Sequence, residues 1–248
     1  NDIRKKAFSK FSKIGLPNKK WEDWRFTNLA KLEKKTFKIN HYNRNTNKNI
    51  DFKKYENNNF TSFIFFNGSY QKSSKAIPKN LIIYSNTDYS KSSDFDKNFL
   101  RAKKCPFEIL NSAFMNSGLA VTIKENAIIK KPLRFLFISE SKEDLMITPR
   151  IRLNLLPNSS AIFLEEHIGK KGSFFYNQSN YINLDENSFL NHIKIQSNSE
   201  NTIKITNQTI NQKKNSSYKF TQFSTGSNIS RLNVRSNLNQ QGAESYIN

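Results

Sequence analysis

The sequence predicts a mainly β protein, built as a parallel β-helix with a small α-helical region before it. Polar turns recur about every 28 residues in the second half of the chain, and the stretches between them alternate apolar with polar side chains. An apolar stripe at helical spacing places the helical region at the N-terminus. At 248 residues the chain is long enough for one large or two ordinary domains.

The N-terminal region, residues 1–59, begins with an amphipathic helix. Lysines occupy the face opposite the apolar stripe, and Gly15 followed by Pro17 supplies a stop signal. The stripe is short and an aromatic cluster follows it, which favours a helix that docks on the domain over one that lies on a membrane. The stripe consists of Ile3, Ala7, Phe8, Phe11 and Ile14.

Both tryptophans of the chain, Trp21 and Trp24, follow this helix among charged residues. Bulky aromatic groups must bury against something, so the pattern favours an aromatic clamp between helices over a ligand-binding role. A second helix or irregular segment is predicted through Leu29, Leu32 and Phe37. Residues 40–59, rich in Asn and Lys, are predicted to form a polar connection.

The middle segment, residues 60–118, mixes strands and a helix and leads into the core. Phe60 to Phe66 is strand-like and ends at Asn67-Gly68, and Leu81 to Tyr84 forms another short strand. From Phe95 to Met115 the spacing is helical again. Pro106 suits the first turn of this helix, and we expect Gly118 to be its C-terminal cap.

From residue 119 to 248 the pattern predicts strands almost exclusively. Ile151, Leu153 and Leu155 alternate with Arg152 and Asn154, as in a strand with one buried face. Similar alternation surrounds Lys194, Lys204 and Asn233.

These strands form a repeat. Asn158-Ser159, Asn187-Ser188 and Asn215-Ser216 lie 29 and 28 positions apart, each ahead of a strand, and Gln241-Gly242-Ala243 follows. Two strands and two turns per period suit one coil of a parallel β-helix, whose turn asparagines can hydrogen-bond along the axis as a ladder. An antiparallel sandwich with polar turns is the competing interpretation. Second breaks within the periods lie at residues 169–172, 198–201 and 225–228.

The net charge of +20 raises the question of a polyanionic partner. The basic residues are spread along the chain, and doublets such as Lys19-Lys20 never extend into a long run. We therefore expect no specific nucleic-acid binding. A basic nucleic-acid-binding module stays the runner-up, and its mark would be an affinity that falls steeply with salt.

Cys105 is the only cysteine, which excludes an intrachain disulfide and any all-cysteine iron–sulfur or zinc site built from this chain alone. We expect it to be a buried structural thiol. No apolar run reaches the length of a transmembrane helix, and residues 1–14 lack a signal-peptide core. A cytoplasmic location without membrane contact is therefore expected.

Glu165, Glu166 and His167 are the nearest approach to a metal or acid-base cluster. Glu165 and His167 would project from the same face of a strand, but two groups do not make a site. A third ligand would have to come from a neighbouring coil, and neither His192 nor His41 occupies a repeat-equivalent position. The expected structure is a solvated strand face without a metal site.

The sequence offers little support for an enzymatic function. A β-helix polysaccharide-active protein would stack carboxylates on one face, whereas only Glu200 and Glu244 are acidic after Glu186. The segment 169–172 lacks the spacing of a phosphate-binding loop, so ATP hydrolysis is expected in a partner.

Three features follow one another along the chain: the Trp-rich run from Trp21 to Leu29, the segment from Pro106 to Phe114 with Gly118 after it, and the strand repeat. In this order they resemble the SufD-type subunit of the Suf iron–sulfur cluster assembly machinery, a member of the SufB/SufD family. The Trp-rich run favours SufD over the paralogous SufB scaffold. The residues that carry the resemblance, all in a structural role, are Gly15, Pro17, Trp21, Glu22, Asp23, Trp24, Thr27, Leu29, Leu110 and Asn111.

The resemblance implies a right-handed parallel β-helix in a non-catalytic subunit that pairs with a SufB-type scaffold and SufC-type ATPases. It implies cluster formation and iron acquisition by the complex. No cofactor is expected on this chain alone, with the iron–sulfur cluster, and a flavin as a further candidate, at the level of the complex.

The sequence stops at Asn248, within an expected coil. The resemblance places the SufC-docking helical domain, the strands that pair with SufB and a late histidine beyond that point. No residue of this sequence is therefore assigned a catalytic role.

Overall fold

A computed structural model describes residues 2–39, 51–85, 105–115 and 117–248. Their strands build a parallel β-solenoid of about five turns, which confirms the predicted parallel β-helix and excludes the sandwich. The helices are α1 (Asp2–Ile14), α2 (Ala30–Glu33) and α3 (Pro106–Phe114), with 3-10 turns at Glu22–Trp24 and Lys53–Tyr55. The strands are β1 (Lys38–Ile39), β2 (Thr61–Phe66), β3 (Ser69–Ser73), β4 (Leu81–Ser85), β5 (Ser117–Ile123), β6 (Ile128–Ser139), β7 (Asp144–Ile147), β8 (Pro149–Leu155), β9 (Ser160–Gly169), β10 (Ser173–Leu184), β11 (Phe189–Ser197), β12 (Thr202–Gln212), β13 (Ser217–Thr225), β14 (Ile229–Leu238) and β15 (Glu244–Ile247).

The strands lie in two sheets that face each other across the interior. In the first, β5, β8, β10, β12 and β14 are consecutive parallel neighbours, and β4 closes one edge antiparallel to β5. In the second, the order is β15-β13-β11-β9-β6-β2-β3, with only the β2/β3 hairpin antiparallel. Each coil thus contributes one strand to each sheet, and the inward side chains of neighbouring coils lie next to one another.

The N-terminal region packs on the outer face of the first sheet. Helix α1 ends at Ile14, and Gly15 follows with a φ of +71°, the left-handed conformation that glycine adopts without strain. The ring of Trp24 lies 4.9 Å from that of Phe107 in α3, and both contribute to an apolar cluster with Phe175 and Ile205. The predicted helix and the predicted aromatic packing are both confirmed. None of the helices in the described ranges combines the length and apolar character needed to cross a membrane.

One prediction for the middle of the chain needs correction. Gly118 does not cap a helix: α3 ends at Phe114, and Gly118 lies buried within β5. The backbone becomes extended at Met115, because Ser117 already pairs with Pro149 in the next coil. Residues 95–104 of the predicted helix lie outside the described residues.

Two aromatic residues of the predicted polar connection pack on the second sheet. Residues 40–50 lie outside the described part of the chain, but Phe52 and Tyr55 pack on Ile64, Leu136 and Ile138 on the outer face of the second sheet. Lysine and asparagine dominate the composition of this stretch, so the sequence pattern concealed two aromatic side chains with a packing role.

An asparagine ladder runs along the turns between the two sheets, as the repeat predicts. Asn126, Asn158, Asn187 and Asn215 all adopt a left-handed backbone, with φ between 54° and 59°. The side-chain amides of Asn158, Asn187 and Asn215 each donate to the preceding asparagine, at 3.0, 3.0 and 3.3 Å. Gly242 continues the series with a left-handed backbone. The position suits glycine because a Cβ here would collide with the side chain of Asn215.

A second ladder, which the sequence pattern did not reveal, runs along the outward face of the first sheet. The amide of Asn183 donates to Asn154 at 2.8 Å, and that of Asn211 donates to Asn183 at 2.9 Å. Thr122 accepts at one end of the row and Asn237 donates at the other. Asn154 and Asn158 are only four residues apart, so the two ladders run beside the same turns, and both hold neighbouring coils at the same register.

Substitution of Asn187 separates the two roles of a ladder residue. Asn187→Ala is expected to lower the free energy of unfolding by about 2–3 kcal/mol, because it loses ladder hydrogen bonds and strains the left-handed backbone. Asn187→Gly keeps that backbone and is expected to cost only about 1 kcal/mol. Denaturant unfolding of both variants measures the difference, and equal losses would show that the backbone conformation contributes nothing.

Candidate functional site

The interior of the solenoid contains aromatic and polar side chains side by side. Phenylalanines such as Phe63, Phe135 and Phe163 belong to its apolar core. After Phe163, the next inward positions of β9 carry Glu165 and His167, which are only 0% and 2% exposed. The predicted solvated strand face is therefore wrong for these two residues. Because Phe163 points inward and side chains alternate along a strand, the next two odd positions must point inward as well.

Glu166, which lies between them, faces outward and is paired. Its carboxylate accepts from Arg134, whose Nη2 lies 2.7 Å from Oε2. The same alternation explains β11, where Lys194 is 1% exposed and Ile195 is 42% exposed. The face assignment that the hydrophobic pattern suggests for this strand is thus reversed.

The Glu165 carboxylate is the centre of a buried hydrogen-bond network. Its Oε1 accepts from Nε2 of His167 at 2.6 Å, from Nζ of Lys194 at 3.0 Å and from Nε2 of Gln178 at 3.2 Å. Its Oε2 accepts from Nδ2 of Asn180 at 2.8 Å. The donors come from β9, from the paired coil position in β11 and from the facing strand β10.

The network extends to the next coil through His192. Backbone register pairs His192 with Phe163, two positions before Glu165, yet its Nε2 comes within 3.5 Å of the Glu165 carboxylate. Its Nδ1 shares a hydrogen bond with the Tyr218 hydroxyl at 2.8 Å, and that hydroxyl also accepts from Gln208 at 2.8 Å. A histidine that is not repeat-equivalent therefore still joins the cluster.

The charges of the cluster follow from burial and from its pairing. Burial alone would raise the pKa of Glu165, but Lys194 and the hydrogen bonds from the histidines lower it well below its ordinary value. Burial lowers the pKa of His167 to about 3, and burial also lowers the pKa of His192. Near neutral pH the carboxylate is ionised against Lys194, and both imidazoles are neutral.

Lys204 is the unbalanced member of the interior. Burial lowers its pKa well below the usual range, and the charge of Lys194 adds to the effect. Its Nζ lies 4.7 Å from the centre of the Tyr176 ring and has no hydrogen-bond partner among the described residues. An amine in this setting is most stable when it is uncharged.

Chemically, this arrangement is a closed electrostatic core. Glu165 and His192 are fully buried, so a substrate cannot contact them without separating the coils. Within the described ranges, no three histidine, cysteine or acidic side chains are placed to hold a metal ion. The cluster can fix the register of three strands and hold one ion pair in a polar interior.

Sequence reasoning missed most of this network, although one signal could have found its central pair. Lys194 follows Glu165 by 29 positions, the length of one coil, and the two residues are direct partners across β9 and β11. Applying the period to charged residues as well as to turns would have placed them side by side. The contacts with Gln178 and Asn180 cross between the sheets, and the repeat carries no information about them.

The N-terminal signature residues dock on the outer face of the first sheet. Trp24 lies under the guanidinium of Arg231, 4.1 Å from the ring centre, and Thr27 accepts from the same guanidinium at 2.8 Å. Leu29 is buried, whereas Trp21 is half-buried. Gly15 and Pro17 form the turn after α1, and Glu22 and Asp23 lie exposed on the 3-10 turn.

The other two signature residues fix α3 to the sheet. Leu110 is buried in the cluster around Trp24. Asn111 is completely buried and its Nδ2 donates to the carbonyl oxygens of Asn177 at 2.8 Å and Pro149 at 3.2 Å, while its Oδ1 accepts from Nε of Arg150 at 3.0 Å. The side chain of Asn111 therefore connects the helix to two neighbouring coils.

Two protein-family models together match almost the whole chain. The model described as the SufBD protein N-terminal region matches residues 1–135, and the model described as the SufBD core domain of SUF system FeS cluster assembly matches residues 137–248. An iron-sulfur cluster assembly SufBD family protein of Synechocystis sp. is 25% identical over 259 residues. This alignment covers 94% of the chain and 55% of the relative, so the chain spans about half the length of the curated relative it matches.

Two substitutions in the interior should have opposite effects on stability. Glu165→Gln leaves Lys194 buried without its counter-charge, so we expect it to lower the free energy of unfolding by about 3–5 kcal/mol. Lys204→Met removes an amine that lacks a hydrogen-bond partner among the described residues, so it should be neutral or stabilising. Denaturant unfolding of the two variants beside the parent protein measures both effects. A Lys204→Met loss as large as that of Glu165→Gln would contradict this account of the interior.

Proposed function

The chain belongs to the SufBD family of the SUF iron–sulfur cluster assembly system, and from this premise we propose that it is a SufD-type structural subunit. In this role it pairs with a SufB-type scaffold and with SufC-type ATPases in a cytoplasmic complex. The observation that carries the proposal is the Trp24 and Asn111 docking described above, in which the residues of the N-terminal run and of α3 attach to the coils of the solenoid.

The proposed role is organisation without catalysis. The most polar part of the interior is closed to substrates, with Glu165 fully buried and ion-paired to Lys194. ATP hydrolysis belongs to the SufC-type partner in this proposal. The two asparagine ladders and the continuous parallel pairing favour movement of the solenoid as one rigid body. ATP-driven closure of the partner would then shift the population of assembly states by moving whole solenoids.

The iron–sulfur cluster is the cargo of the proposed complex, and this chain does not supply a site for it alone. Cluster ligation needs several thiolates, and Cys105 is the single cysteine. Burial raises the pKa of its thiol to about 12, and its Sγ donates to Asn207 at 3.2 Å. Support for cluster formation and for iron acquisition, and any flavin, are therefore proposed at the level of the complex.

The runner-up function, a basic nucleic-acid-binding module, rests on the net charge of +20. Part of that charge does not reach the surface, because Arg150, Arg152, Lys194 and Lys204 are each 2% exposed or less. A phosphate backbone is bound by accessible cations, so these four residues contribute nothing to such a surface.

Co-expression tests the proposed complex. The protein is produced with the SufB-type and SufC-type proteins of the same genome, with an affinity tag on the ATPase. It is purified once at about physiological ionic strength and once at about 0.5 M salt, which is well above physiological. We expect it to co-purify with both partners at either salt concentration. A lysine-rich protein of similar net charge serves as the control for electrostatic adhesion and should be lost at high salt.

Failure to co-purify with either partner would contradict the proposed role. The runner-up is measured in the same preparation by titration with duplex DNA over a series of salt concentrations. Tight binding that weakens steeply with salt would favour the nucleic-acid module.

A further inference from the structure

A cleft of about 360 Å³ opens where the N-terminal signature meets the solenoid. Its walls come from the 3-10 turn at Glu22–Trp24, from the start of α3 and from the outward faces of β12 and β14. This volume lies in the lower part of the range of about 300–1,000 Å³ that is usual for small-molecule sites. We call it the Glu108 cleft, after the carboxylate in its wall.

Glu108 is buried without a counter-charge in contact. The residue is 5% exposed, lines the cleft and makes no side-chain hydrogen bond or ion pair with any described residue. Burial raises its pKa, although the charges of Arg235 and Arg150 act in the opposite direction. A buried carboxylate without a partner is costly to the fold, which makes a bound ligand with a donor or a positive charge a physical reason for its presence.

The other wall of the cleft is cationic. Arg231 is held in place by its contact with Trp24 and by a 2.7 Å hydrogen bond from its Nε to Oδ1 of Asn233. Arg235, two outward positions after Arg231 on β14, is exposed and forms no ion pair or hydrogen bond with any described residue. The guanidinium of Arg235 is therefore available to an anionic group in the cleft.

Asn207 adds a polar group that is already oriented. It is 2% exposed and lines the cleft, and its Oδ1 accepts from Sγ of Cys105 and from Nδ2 of Asn233 at 2.8 Å. Its Nδ2 has no hydrogen-bond partner among the described residues. The Cys105 thiol, protonated at neutral pH, serves here as a donor that holds Asn207 and not as a nucleophile.

The pattern of charge selects among possible ligands. A simple anion would meet the carboxylates of Glu108 and Asp23, and a simple cation would meet Arg231 and Arg235. A molecule with both charges satisfies both walls at once. We propose that the Glu108 cleft binds a small zwitterion of the α-amino acid class, with its ammonium group at Glu108 and its carboxylate at Arg235.

Calorimetric titration of the purified protein with four probes tests this site. Glycine and L-alanine carry both charges, whereas acetate and methylamine each carry one. We expect the two zwitterions to bind about tenfold or more tightly than either single-charge probe, because each of those leaves one wall unpaired. Acetate binding as tightly as glycine would overturn the proposal in favour of a simple anion site, and no binding of either zwitterion at millimolar concentration would overturn it entirely.

Variants locate the binding. Glu108→Gln and Arg235→Gln should each weaken glycine binding by about tenfold or more, whereas Lys219→Gln, a loss of one exposed cation on the opposite sheet, should leave it unchanged. Glu108→Gln removes an unpaired buried charge, so its unfolding midpoint should stay equal to that of the parent or rise. Glycine affinity that survives both cleft substitutions would overturn the assignment. The outcome is independent of co-purification with Suf partners, so the two proposals can fail separately.

Discussion

A single ionised carboxylate inside the solenoid, that of Glu165, constrains the polar part of the interior. Moving a charge out of water costs so much free energy that hydrogen-bond donors on the neighbouring strands must replace the lost water molecules at fixed positions. His167, Lys194, Gln178 and Asn180 do so from three different strands. A slip of one residue between coils would turn Lys194 outward and leave the carboxylate unpaired. The network therefore specifies the register that the asparagine ladders repeat at the surface.

The outer face of the first sheet depends on this register in turn. Asn111 reaches backbone carbonyl groups in two coils, and Arg231 covers Trp24 from a third. These contacts are possible only when the coils stack in the correct register, so the N-terminal region holds several coils together. The Glu108 cleft lies where the N-terminal region meets β12 and β14. A stiff solenoid with a docked helical region is a suitable subunit for transmitting rigid-body motion within an assembly.

Much of the architecture could be predicted from the sequence because its signals are local or periodic. Asn158, Asn187 and Asn215 revealed both the length of the coil and the ladder, since a left-handed turn favours asparagine and the repeat aligns its side chains. The polar interior could not be predicted in this way. Alternation shows that Lys194 and Ile195 lie on opposite faces but not which of them is buried, and the apolar choice is wrong here. The prediction that Gly118 caps a helix was wrong for a related reason. Helix signals near α3 do not reveal the strand partner of β5, whose pairing ends the helix.

The most direct measurement of the central claim is a pH titration of the Glu165 side-chain carboxyl by ¹³C NMR in the folded protein. The account predicts that this carboxyl stays ionised throughout the range in which the protein is folded, with a pKa below the ordinary value of 4.5. The spectrum of Glu165→Gln identifies the resonance by its absence. A carboxyl that titrates above 4.5 would contradict the account, because it would show that the effect of burial outweighs that of Lys194 and the hydrogen bonds.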